Sequence, residues 1–217
     1  MQHNIRKKLE KQTKNYLSHF NINQQTNLKT MKNLKTIAFA FVAFATLTVS
    51  AQTKKIDATK STIEWVGKKV TGQHNGIVNF KDGAVVLKGK KLVGGSFTVD
   101  MNSLTATDLS GEYQGKLNGH LKADDFFGTA KFPTATLVIK KIGAKAANVY
   151  TATADLTIKG ITNPVTFDMT VNGDTATTAF NVDRTKYDIK YGSKSFFESI
   201  GDKAISDEFE LKVTLKF

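Results

Sequence analysis

Very few groups in this chain are equipped to do chemistry. Cysteine is absent, which removes thiolate nucleophiles, disulfides, Cys-ligated zinc, iron–sulfur clusters and c-type haem attachment together. Of four histidines, two stand in the N-terminal region and only His74 and His120 lie further on. A metal site would need both, with carboxylates such as Asp124 and Asp125. Their spacing matches no two-His-on-one-face motif, so no metal or other cofactor is expected. His120 falls at the end of a helical stretch, where an imidazole can satisfy a terminal carbonyl and the negative end of the dipole. There is no Gly-x-Ser-x-Gly elbow, and Gly89-Lys90-Lys91 is too short for a phosphate loop. A Ser/His/Asp triad is neither supported nor excluded. Asp124-Asp125 and Asp207-Glu208 are adjacent in sequence rather than facing across a cleft, which suits surface charge or backbone capping better than glycoside hydrolysis.

The elements that must carry these groups read as strands. Strict alternation of apolar and polar residues places Tyr150, Ala152, Ala154, Leu156 and Ile158 on one face, with Thr151, Thr153, Asp155, Thr157 and Lys159 on the other. The same period runs through Val165, Phe167, Met169 and Val171 and through Phe209, Leu211, Val213, Leu215 and Phe217. Further strands are expected over 61–70, 76–80, 84–88, 95–101, 135–142 and 175–183. Turn signals stand at Lys81-Asp82-Gly83, Gly89-Lys90-Lys91, Lys159-Gly160 and Asn172-Gly173-Asp174. Short connections imply antiparallel neighbours, and a sheet with one apolar face must curl on itself or stack. An all-β fold follows, a barrel or sandwich; about eight strands suffice to enclose one small or elongated ligand. Phe80, Phe97, Phe167, Phe180 and Phe209 fall on the apolar face, which argues against a nucleic-acid-binding barrel displaying its aromatics.

One stretch departs from the two-residue period. Leu109, Tyr113, Leu117 and Leu121 recur every four residues, the stripe of a short helix with Asp108 or Ser110 as N-cap. Gly111, Gly115 and Gly119 form a parallel series, which predicts close approach of the helix backbone to the barrel. The helix is expected to cover one end, as a plug or, if it opens, a lid.

The 217 residues carry a net charge of +12, unevenly distributed. Residues 1–51 hold eight Lys/Arg and one Glu, leaving +5 on the remainder. Lys32 and Lys35 precede an apolar and Thr run from Thr36 to Val49, closed by Val49-Ser50-Ala51. That is the layout of a signal peptide over 31–51, cleaved before Gln52. At about 1.5 Å per residue the run reaches roughly 21 Å, short of the ~30 Å bilayer core, so a retained membrane anchor fits less well. Residues 1–30 are rich in Lys, Asn and Gln and read as an over-extended start or a disordered extension, with a basic nucleic-acid-binding arm as the functional alternative. A periplasmic or secreted domain over 52–217 is expected, and most of the basic excess departs with the leader.

Several blocks of this domain resemble a known family. His120-Leu121-Lys122-Ala123-Asp124-Asp125-Phe126-Phe127 followed by Ala130-Lys131-Phe132-Pro133-Thr134-Ala135-Thr136 is one. Asp155-Leu156-Thr157-Ile158-Lys159-Gly160-Ile161-Thr162-Asn163-Pro164-Val165 is a second, and Arg184 with Tyr187, Ile189, Tyr191 and Gly192 a third. With Ser103-Leu104, their order and spacing are similar to those of the YceI-like family of secreted, lipocalin-like, polyisoprenoid-binding proteins. The resemblance implies an eight-stranded antiparallel barrel with an apolar tunnel for a long-chain isoprenoid, quinone-like or fatty amphiphile, and no catalysis. The resemblance transfers the pocket and not its contacts; for the wall this sequence offers Phe97, Met101, Leu104, Phe126, Phe127, Leu156, Ile158, Phe167 and Phe180, with His120, Lys122 or Arg184 available to a polar head. The polar, glycine-rich stretch from Lys68 to Gly76 departs from the better-known members. An enzyme acting on a lipid-like substrate through His74 or His120, and a stress-response interaction module using the barrel exterior, are the alternatives. A homodimer is left open. N-terminal sequencing of the exported protein is expected to begin at Gln52; a mature chain starting upstream would overturn the leader assignment.

Overall fold

The structure, a computed structural model, describes residues 50–197 and 201–217. The expected leader and the thirty residues before it lie outside them. The strands are β1 (Ala51–Lys55), β2 (Thr62–Lys69), β3 (Gly72–Lys88), β4 (Lys91–Ala106), β5 (Thr134–Ala146), β6 (Val149–Ile158), β7 (Ile161–Asn172), β8 (Thr175–Asp183) and β9 (Ile205–Lys216). One helix, α1 (Gly111–Lys122), lies between β4 and β5. All pairings are antiparallel, and β3 to β4 closes the order β3-β2-β9-β8-β7-β6-β5-β4 into an eight-stranded barrel with β1 as an extra strand on β3.

Alternation supplies the interior. Phe97, Leu137 and Leu156 stand side by side across β4, β5 and β6, and Phe180, Leu211 and Trp65 do so across β8, β9 and β2. A one-residue slip would turn such a row to solvent. Each large side chain taken fully inside contributes about 1.5–3 kcal/mol. Two-residue turns join most neighbours. At Lys159-Gly160 both residues adopt positive φ, 51° and 74°, the mirror-image geometry that matches strand twist.

The structure corrects three expectations. The turn at Lys81-Asp82-Gly83 does not form; β3 runs unbroken for 17 residues, with a register shift between Phe80 and Asp82. Gly83 is needed there because a Cβ would stand 2.7 Å from the Phe97 ring. The bulge bends the long hairpin where a turn residue pattern suggested a break. Secondly, the α1 stripe is only half used, since Leu121 is buried while Tyr113 is 73% exposed. The helix is instead seated by polar contacts to the end of β4. Gln114 Nε2 donates to the Ala106 carbonyl at 2.7 Å, and Asn118 Oδ1 accepts from the Ala106 N–H at 2.8 Å. Thirdly, Gly115 and Gly119 face open space rather than the barrel. Ser110 occupies the N-cap in extended conformation without a side-chain hydrogen bond.

One seam is short. β7 and β8 pair only from Met169 to Asn172 and Thr175 to Thr178. Below it Pro164 lacks an N–H, and the strands are bridged by the stacked rings of Phe167 and Phe180, 4.5 Å between centroids; Asn163 Nδ2 donates at 2.9 Å to the carbonyl of Lys186, in the turn of 3-10 helix that follows β8.

Trp65 is accommodated beside Gly76, its ladder partner on β3. A Cβ at Gly76 would lie 2.0 Å from the Thr105 carbonyl oxygen and 2.6 Å from the indole. Gly76→Ala is therefore expected to destabilise the barrel by roughly 1–3 kcal/mol through overpacking, read as a lowered urea midpoint; an unchanged midpoint would contradict this packing.

Candidate functional site

The inward faces of the eight strands do not meet at the centre. They enclose an apolar cavity of about 1210 Å³, mouth included. Every residue of the expected wall lines it: Phe97, Met101, Leu104, Phe126, Phe127, Leu156, Ile158, Phe167 and Phe180. So do Trp65, Phe80, Leu121, Leu137 and Phe209. Trp65 stands in period with Ile63 and Gly67, so alternation alone could have placed it there. Towards the β7–β8 turn the lining stops near Met169, Thr178 and Leu215, beyond which Val171 and Ala176 are buried in solid packing.

At the opposite end, that of α1, the lining includes Arg184, Ile205, Ser206 and Glu208. Ser206 and Glu208 are exposed, so the cavity meets solvent there. Two polar groups deeper inside, Thr178 and Trp65, have partners already. Thr178 Oγ1 donates to the Asp168 carbonyl at 2.6 Å, and Trp65 Nε1 donates to the Ile77 carbonyl at 3.3 Å.

The three head-group candidates fare differently. Arg184 lines the cavity, but at 2% exposure its guanidinium is committed to the protein. Nε, Nη1 and Nη2 donate to the carbonyls of Ser206, Ile189 and Ile205 at 2.9, 2.7 and 3.1 Å, and its carbon lies 5.7 Å from the Phe126 ring centroid. It acts as a strut between the end of β8 and the start of β9 rather than as a free cation. Lys122 does not reach the cavity; its Nζ donates to the Asn102 carbonyl at 2.7 Å. His120 also lies outside, edge-on to Tyr191 at 4.5 Å between centroids and with Nε2 3.6 Å from Asp125. Side chains at one helix terminus read together in sequence, but they project to different sides of it.

Among the described residues, the remaining titratable groups do not assemble into a reaction centre. His74 Nδ1 contacts Asp108 Oδ2 at 2.8 Å, on the outer side where β3 begins. Burial pushes the Asp108 carboxyl up, but the His74 hydrogen bond and the Asn75 N–H outweigh it and hold it below its ordinary value. His74 meets Asp108 just before the start of α1, whereas His120 lies in its last turn. Asp124 pairs with Lys131 at 2.6 Å, and Glu208 accepts from Asn181 at 3.0 Å.

Asp207 is no mere surface charge. Burial alone would raise its pKa, but hydrogen bonds from Ser193 and Ser195 and the Arg184 charge reverse that and lower it. Its Oδ1 lies 3.7 Å from Arg184 Nη2. A carboxyl whose folded pKa is depressed contributes stability that is present above the unfolded value of about 3.9 and lost as pH falls through the folded value. Asp207→Asn should therefore lower the urea midpoint at neutral pH and lose its difference from wild type in acid. Arg184→Ala, which strands three carbonyls and a carboxylate, should cost about 3–5 kcal/mol. A neutral-pH midpoint unmoved by either change would refute the strut.

Comparison with known proteins places this arrangement. Burkholderia cenocepacia BcnA superposes with a TM-score of 0.56 at 24% identity, covering 74% of this chain and 98% of that one. A polyisoprenoid binding domain from Saccharophagus degradans, implicated in plant cell wall breakdown, gives 0.50 at 16% identity, covering 74% and 95%. A UPF0312 protein of Staphylococcus aureus (strain USA300) is 46% identical over 56 residues, 26% of this chain and 30% of its own length. A UPF0312 protein of Shewanella denitrificans is 33% identical over 91 residues, 42% of this chain. The chain spans less than half the length of either relative, 30% and 46%. The YceI-like domain model matches residues 54–217, from the end of β1 through the whole barrel, and the chain belongs to the YceI-like family.

Proposed function

We propose that this domain is an exported, non-catalytic binding protein that holds the tail of a long-chain isoprenoid or similar lipid-like amphiphile inside its barrel, for transport, storage or sequestration. The observation that carries the reading is the cavity, walled by phenylalanine and aliphatic side chains, with the exposed Ser206 and Glu208 among its lining at one end. A tail in such a space gains roughly 0.8 kcal/mol for each CH₂ removed from water, and it asks for no hydrogen bond where none is on offer. The polyisoprenoid-binding description of the Saccharophagus neighbour favours an isoprenoid over quinone-like or fatty tails. The leader expected from the sequence over 31–51 would deliver it to the periplasm or the outside.

An enzyme working through His74 or His120 would need an imidazole facing the cavity beside a carboxylate. Neither histidine is among the lining residues, so the binding reading is preferred. Organic extraction and mass spectrometry of protein purified from its native host are expected to release a long-tailed lipid. Leu137→Trp, which adds bulk at a half-buried wall position, should lose that lipid while keeping the fold. Native protein that yields no lipid, and binds none added to it, would refute the carrier.

A further inference from the structure

The α1 end of the barrel carries a second surface that the cavity does not explain. Phe196 and Phe197 are 49% and 50% exposed, and they alone among the described phenylalanines are classed with solvent-exposed residues. Val70, at the tip of the β2–β3 hairpin, is 55% exposed. Its N–H donates to the Ala204 carbonyl at 3.1 Å, which brings the hairpin tip onto the segment that follows the phenylalanines. Val70 borders a cleft also lined by Lys68, Lys69 and Lys194, with Asp207 as its carboxylate, and Lys194 stands two residues before Phe196. That carboxylate turns toward Ser195 and Arg184, leaving three ammonium groups as the outward charge of the cleft, with the exposed Asp202 and Glu208 on the segments beside it. Lys190 Nζ lies 5.1 Å from the Phe196 ring centroid.

Single exposed apolar side chains are ordinary. Two adjacent exposed phenylalanines beside Lys190 and Lys194, at the barrel end whose lysine-lined cleft also exposes Val70, are not, and the chemistry of the group is specific. An aromatic and aliphatic wedge settles at the head-group and acyl boundary of a bilayer, while lysine stems lie along it and their ammonium groups reach phosphates. The location adds weight, because Ile205 and Ser206 line both this cleft and the apolar cavity. The surface is therefore next to the cavity mouth.

We propose that this end of the barrel docks reversibly on an anionic phospholipid surface, with Phe196, Phe197 and Val70 in the head-group boundary and Lys68, Lys69 and Lys194 on lipid phosphates. Docking sets the mouth against the bilayer, where an apolar tail can pass without crossing water. It goes beyond the carrier reading and does not depend on what the cavity holds. The test is flotation of the protein, as recovered from its host, with phosphatidylcholine vesicles and with phosphatidylcholine–phosphatidylglycerol vesicles. Wild type should float with the anionic vesicles, less so as salt is raised. Phe196→Ser with Phe197→Ser should weaken partitioning about tenfold. Lys68→Glu, Lys69→Glu and Lys194→Glu together should weaken it roughly 100-fold at low salt. Both variants should keep the wild-type melting temperature and the wild-type yield of extracted lipid. Absence of wild-type flotation, the result expected of a protein-docking surface, would overturn the proposal. So would equal binding to neutral vesicles, or variants that float as wild type does. A cavity found empty on extraction would refute the carrier and leave this docking result standing.

Discussion

β3 hydrogen-bonds to three strands, because its length outreaches β2 and leaves its second half free for β1, while its other edge takes β4. That last pairing turns an open sheet into a ring. Closure removes the free edges that would otherwise invite association, and it also fixes the geometry of everything inside. Eight strands set a diameter that inward side chains only just span. Where Trp65 faces Gly76 or Phe97 faces Gly83, large beside small fills the wall tightly. Towards the β7–β8 turn Val171 and Ala176 complete a solid core, and in the middle the rings leave a channel.

The end of that channel is organised by a buried cation. Arg184 is placed where β8 leaves the barrel, and its donors draw in Ile189, Ile205 and Ser206 from the returning segment. Burial lowers its pKa, while Asp207 and Asp183 act in the opposite sense. Taking such a group out of water is costly unless its donors are satisfied. Carbonyl acceptors and one nearby carboxylate meet that requirement, and in doing so they hold the start of β9 in register under α1. The charge that a sequence reader would offer to a ligand is thus committed to keeping the mouth in shape.

The parts legible in the sequence were those that depend on period alone. Alternation placed Leu156, Ile158, Phe167 and Phe180 on an inward face, and all four line the cavity; β8 runs over the expected residues. What period cannot show is which turn signals a long strand will absorb. Lys81-Asp82-Gly83 reads as a turn, yet the pairing available to β4 on one side and β1 on the other outweighs the local preference. Nor does a four-residue stripe reveal that α1 would be seated through Gln114 and Asn118 with Tyr113 outward. Those contacts depend on the unpaired ends of β4, which exist only once the barrel has closed. The extra strand β1 escaped notice for a similar reason, since its burial is slight and its place is created by the overhang of β3.

Polarity along the channel decides how an amphiphile can lie in it. In the depth, Thr178 and Trp65 have given their donors to carbonyls, and Arg184 has given three of its own at the threshold. A charged head group carried inward would lose its water among largely apolar walls, at several kcal/mol for each charged group. An amphiphile lying there would keep its tail inward and its head near Ser206. There the lining ends in the exposed Ser206 and Glu208, beside which a polar group stays in contact with water. Closure of the sheet and the distribution of polarity along its interior together fix the direction in which an elongated apolar group would have to enter.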